Sequence, residues 1–192
     1  MTAVFVAAIY NYMGLSTDGK PTTGVPAGSH FYETDTGATY TFDGTATWSI
    51  NVGEYLCRKS LTFTGAAGLG AVGNVPLFTV TGEVEILRIM PYTVDTLTQA
   101  AAGSTLALGV TNATALFLAA TPVVNLATGE FWTEATGAGV ANSGIAFPAA
   151  LKDIAITSNI VGTVAVNNCN GGTLRFDIWW RPLSSDGKVV PV

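Results

Sequence analysis

The sequence predicts an all-β protein, a jelly-roll-like β-sandwich preceded by a small β-meander and an extended N-terminal arm. Apolar residues recur with period two or in short runs, with Gly, Asn, Asp, Ser and Thr as punctuation, which is the pattern of strands and turns. Helical periodicity is almost absent. Only 11% of the 192 residues are charged while 48% are hydrophobic, and the mean hydropathy is +0.42, whereas soluble domains carry roughly 25% charge. No stretch reaches the roughly 18 uninterrupted apolar residues of a membrane-spanning helix. The nearest, 114–127, is broken by Thr121, Pro122 and Asn125. Protein is then the expected cover for the apolar excess, and the chain is expected to self-associate.

The elements follow in chain order. Residues 1–10, MTAVFVAAIY, are apolar like the core of a signal peptide, but no positive residue precedes them and Asn11 follows closely. They read as a docking strand, with Val4, Phe5, Ile9 and Tyr10 as expected contacts. Residues 20–28, KPTTGVPAG, hold too many prolines and glycines for a helix or a central strand and read as an extended arm or loop. Next, 30–34 and 39–42 flank Asp35-Thr36-Gly37, and Asp43-Gly44 precedes 47–50, a three-stranded meander. These make an N-terminal unit of residues 1–56.

The unit 57–192 carries strand patterns at 61–64, 75–81, 83–94, 105–110, 115–119, 130–134, 154–158, 162–166 and 173–181. Eight or nine strands of this kind predict two packed sheets, with barrel closure as the alternative. One helical turn is expected at 99–103, ended by Gly103.

Chemistry-bearing residues are sparse. Gly68, Gly70 and Gly73 match the G-x-G-x-x-G spacing, but Pro76 and strand-like residues follow at once instead of a helix, so the glycines read as an inter-strand loop lying at a subunit seam. His30 is the only histidine and no nucleophile-elbow pattern accompanies it. Cys57 and Cys169 lack metal-ligand spacing and read as buried free thiols, with a bridge between them left open. Glu83 and Glu85 share a strand face, as a glycosidase pair would, but more simply as solvated charges. Neither catalysis nor a cofactor is expected.

The net charge of −5 and the single adjacent basic pair, Arg58-Lys59, argue against nucleic acid as a partner. Trp179 and Trp180 cannot both face inward in a regular strand; one belongs in the core and the other at an interface, with Trp180 the expected interface residue. Trp48 and Trp132 are candidates for a glycan-stacking platform.

Three phrases together resemble structural proteins of tailed-bacteriophage virions. Residues 20–37, running on through 40–44 and Trp48, are similar to a short β module near the start of many such proteins. Residues 63–82 resemble the opening of a phage β-sandwich domain, and 172–187 its closing strand and exit. The resemblance implies a non-enzymatic virion component of the head decoration, cement or head-fibre type, commonly a homotrimer. Its expected place is the capsid surface, over junctions of the major capsid protein, after assembly in the host cytoplasm. A tail- or fibre-associated, glycan-binding module is the alternative it leaves open.

Overall fold

The structure, a computed structural model, describes residues 8–51, 53–134, 146–184 and 186–192. Its N-terminal sheet has the order β1-β2-β3-β4, formed by β1 (Asn11–Gly14), β2 (His30–Glu33), β3 (Thr39–Phe42) and β4 (Trp48–Ile50). The expected meander is β2 to β4, paired antiparallel. Its second turn is held by Asp43, whose carboxylate accepts the backbone N–H groups of Thr45, Ala46 and Thr47 and the Thr45 hydroxyl. Those bonds favour the anion and hold Asp43 below the usual carboxylate range.

Strand β1 joins β2 in parallel, a pairing that needs the long 15–29 return instead of a tight turn. That return is not a free arm: Val25 is buried, and the Pro21 carbonyl accepts the Trp48 indole N–H at 2.8 Å. One face of the sheet carries Phe31, Tyr40, Phe42, Trp48 and Ile50 inward.

The remaining strands are β5 (Tyr55–Thr62), β6 (Gly73–Thr81), β7 (Val84–Gln99), β8 (Thr105–Val110), β9 (Ala113–Pro122), β10 (Ile154–Ile156), β11 (Ile160–Ala165), β12 (Cys169–Pro182) and β13 (Lys188–Pro191). They form a four-stranded sheet, β10-β7-β12-β5, and a five-stranded sheet, β13-β6-β11-β8-β9. The all-β sandwich class expected from the sequence is the one observed. Its antiparallel pairs are nested, β5 with β12, β6 with β11, β7 with β10 and β8 with β9, and successive pairs fall in alternate sheets.

Two local expectations differ from the outcome, and one strand forms where none was expected. Residues 130–134 make only an isolated bridge, Tyr92 to Phe131, after a turn at 127–130. The 99–103 segment is not helical, because the Gln99 side chain bends back to accept the Ser104 N–H and closes a tight turn. The C-terminal β13, short and ending at Pro191, extends the five-stranded sheet along β6.

The core lies between the two sheets, and Phe31, Ala38, Tyr40 and Ile50 of the N-terminal sheet belong to the same continuous cluster. Strand β5 starts at Tyr55, so the sandwich begins slightly before the expected boundary.

A buried carboxylate ties the two units together. Glu33 at the end of β2 is wholly buried and accepts from Lys20 at 2.7 Å, Lys188 at 3.0 Å and the Thr36 hydroxyl at 2.6 Å. Lys188 is the first residue of β13 and also reaches the Ser16 carbonyl at 3.4 Å. Lys20 lies 4.2 Å from the Tyr40 ring centroid, so both cations are held in partly desolvated places. Burial pushes the Glu33 pKa up, but the bonds from Lys20, Thr36 and Lys188 outweigh it and the net shift is downward.

Glu33→Gln leaves both lysines facing a neutral amide and is expected to cost about 3 kcal/mol of unfolding free energy, measured by urea titration at neutral pH. Because the folded pKa is depressed, this stabilisation is complete above the ordinary glutamate value near 4.5 and is lost as pH falls through the folded value. The gap between wild type and variant therefore narrows below about pH 4.5.

Candidate interaction surfaces

Charge is segregated along the chain. No Asp, Glu, Lys or Arg occurs in 60–82, 96–129 or 154–174, and these stretches build most of the five-stranded sheet and one end of the sandwich. Lys188 is the one charged residue in the strands of that sheet, and it is turned to Glu33. All four arginines of the chain, Arg58, Arg88, Arg175 and Arg181, lie instead on the four-stranded sheet. Arg58 and Arg175 close over Asp177, and Arg181 pairs with Glu85 at 2.5 Å.

The sandwich has two different ends. The N-terminal sheet packs where β5 and β13 begin, as Lys188 and the contact between Gly37 and the Leu56 carbonyl show. At the opposite end, 63–72, 100–104 and 166–168 are joined through Asn167 and Asn168. The Asn168 carboxamide accepts the Val72 N–H at 3.0 Å and donates to the Gly65 carbonyl at 3.3 Å. Asn167 donates to the Ala102 carbonyl at 2.7 Å, and its own carbonyl accepts the Ser104 hydroxyl at 2.6 Å.

The expected glycine loop lies at this end. Gly70 has φ +111° and its missing side chain makes room for the Cys169 carbonyl, while its own carbonyl accepts the Cys169 N–H at 2.8 Å. Of the three glycines, Gly70 thus serves a close backbone approach to β12. Gly68 and Gly73 also have positive φ, and Gly73 is exposed at the start of β6. Around them Leu69, Val72 and Val166 are exposed. Val166 has φ +69°, a left-handed conformation that costs a β-branched residue energy. Sequence reading missed Val166 and the asparagine pair, because the bonds that hold them join residues up to 103 positions apart.

At the N-terminal sheet, Ile9 and Tyr10, the expected contacts, are exposed, the Tyr10 ring edge-on to Tyr12, and Met13, Leu15 and Tyr32 are exposed as well, Met13 being 75% exposed. Met13 and Tyr32 are register partners in β1 and β2, so they stand side by side. Val4 and Phe5 lie outside the described residues.

The expectation for Trp180 is corrected: it is fully buried between the sheets, against Tyr55, and Trp179 is the outward member of the pair. The register of β12 decides this, since Leu174, Phe176, Ile178 and Trp180 all fall on the core side. Neither tryptophan suggested for glycan stacking forms a surface platform. Trp132 is fully buried and donates its indole N–H to Thr121, while Trp48 sits among Tyr12, Phe31 and Phe42.

His30 is exposed, its Nδ1 3.3 Å from the Thr41 hydroxyl. Among the described residues no cluster of three metal-ligating side chains occurs, and no helix is long and apolar enough to cross a membrane.

The two cysteines are free and buried, which settles the open question of a bridge. Burial pushes the Cys57 thiol up to about 12 and the Cys169 thiol to about 11. Both stay protonated through neutral pH, so neither is a poised nucleophile. A thiol-reactive chromophore at pH 8 is expected to label neither cysteine in the native protein and both after unfolding. Fast labelling of the native chain would contradict this burial.

Comparison with protein-family models, curated proteins and solved structures finds no match for this chain.

Proposed function

We propose that this chain is a non-enzymatic structural subunit of a tailed-phage virion, a head decoration or cement protein acting as a homotrimer. The observation that carries the reading is the five-stranded sheet, whose strands carry no charge except Lys188, turned to Glu33, and which is continuous with the charge-free end of the sandwich. A solvated sheet face is ordinarily dotted with charge, because interspersed charges keep surfaces soluble and sheet edges apart. A face without charge fits burial against an identical neighbour. The nested strand pairing fits a jelly roll, an architecture used by viral capsid domains. Val166, exposed and in a strained conformation, adds a site where backbone strain is retained at the surface.

The division of labour follows from the two ends. The exposed apolar residues Ile9, Met13, Leu15 and Tyr32 at the small sheet form the attachment face toward the major capsid protein. The five-stranded sheet supplies the seam between subunits, with Gly68, Gly70 and Gly73 at its far end. The action is linkage without chemistry. A protein that binds only the mature shell stabilises it by its binding free energy, and three joined attachment faces raise avidity through effective concentration. The tryptophan platform suggested for a tail-borne glycan-binding module loses support, since Trp132 is fully buried and Trp48 is partly buried against the core.

Sedimentation at micromolar concentration is expected to give a trimer. Thr79→Glu combined with Thr163→Glu places charge at two non-core positions of the five-stranded sheet. This variant should remain folded, sediment as a monomer and bind shells at least tenfold more weakly. A wild-type monomer would refute the trimer. Shells that resist heat equally well with and without the protein would refute cementing.

A further inference from the structure

Six of the eight cationic side chains have an oxygen partner. Lys20 and Lys188 share Glu33, Arg58 and Arg175 share Asp177, Arg181 has Glu85, and Lys59 donates to the Val192 carbonyl. Among the described residues Arg88 and Lys152 have no ion pair, and both line one pocket of about 290 Å³ on the outer face of the four-stranded sheet. In a protein of net charge −5, two unneutralised cations converging on one concavity point to an anion.

The other lining residues narrow the class. The register between β7 and β12 shifts at Trp179/Trp180, so that Arg88 stands opposite Trp179 while Ile86 pairs with Trp180. The Arg88 guanidinium lies over the Trp179 ring, 4.3 Å from its centroid. Stacking uses the face of the guanidinium and leaves its edge N–H groups to grip a planar acid bidentately. Lys152, just beyond the 3-10 turn Ala149–Leu151, adds a second positive donor. Trp179 and Leu87 offer apolar wall, and Glu54 offers acceptors only.

Inorganic phosphate would use the cations but be repelled by Glu54, and a neutral sugar would leave the cations unanswered. An acidic peptide brings several carboxylates against the same Glu54. A ring that carries one carboxylate, several hydroxyl donors and an apolar C–H face uses every group present. We propose that this pocket binds a sugar acid, a single hexuronate unit of an acidic polysaccharide. The volume, at the small end of ligand pockets, suits one ring. The inference does not depend on where the protein is mounted.

The test follows the indole N–H resonance of Trp179, identified by its loss in Trp179→Phe, while the full chain is titrated at constant ionic strength with sodium glucuronate, glucose, inorganic phosphate or triglutamate. Glucuronate is expected to shift it saturably and at lower concentration than the other three. Arg88→Ala and Lys152→Ala should each weaken glucuronate by about tenfold, the loss of one charge-assisted bond. Lys152 lies outside every strand, so its variant serves even if Arg88→Ala does not fold. The sugar-acid assignment is overturned if glucuronate causes no shift, or if glucose, phosphate or triglutamate acts at an equal or lower concentration. It is also overturned if a folded Lys152→Ala binds glucuronate as wild type does.

Discussion

Strand β12 sets the arrangement on which the rest of the molecule depends. It pairs with β7 on one side and β5 on the other, and its residues alternate faces over most of its length. Leu174, Phe176, Ile178 and Trp180 fill the space between the sheets. Arg175, Asp177, Trp179 and Arg181 make the spine of the outer face. Asp177 is nearly covered there, and it is tolerable only because Arg58 from β5 and Arg175 from β12 neutralise it. A one-residue slip of β12 would bury three charges and expose the largest core side chains.

The second constraint is the coupling of the N-terminal sheet to the sandwich. That sheet has only four short strands, and a sheet of that size gains stability by packing on something larger. Its aromatic face shares the sandwich core, and Glu33 fixes the orientation by holding one lysine from each unit. The result is a molecule with a defined polarity, with an exposed apolar surface on the small sheet at one end and an asparagine-laced, uncharged cap at the other.

Polarity along the axis is matched by asymmetry across it. One sheet carries every arginine, while the strands of the other carry no charge except the lysine committed to Glu33. Two sheets of the same sandwich need not differ in this way for the fold to be stable, since both hide equivalent inner faces. The asymmetry therefore concerns the outer surfaces, and it is the physical basis for the proposal that identical neighbours meet on one side while the other stays open to solutes.

Much of this was legible locally. The turn at Asp43-Gly44 is written in a side chain that bonds the N–H groups just after it, and most strands of period-two pattern overlap their expected positions, although β5 begins six residues before the expected 61–64. Strand β13 was not, because it is short, ends at proline and forms only where β6 offers an edge. The parallel placement of β1 also depends on a partner some 19 residues away. The all-β class, the shortage of charge and the entry of only one of Trp179 and Trp180 into the core follow from the order of residues alone. That Trp180 is the one that enters, that Gly70 makes room for the Cys169 carbonyl, and that Arg88 and Lys152 meet in one pocket are set by the folded chain. Those outcomes rest on register and on approaches between distant segments, and strand periodicity is blind to both.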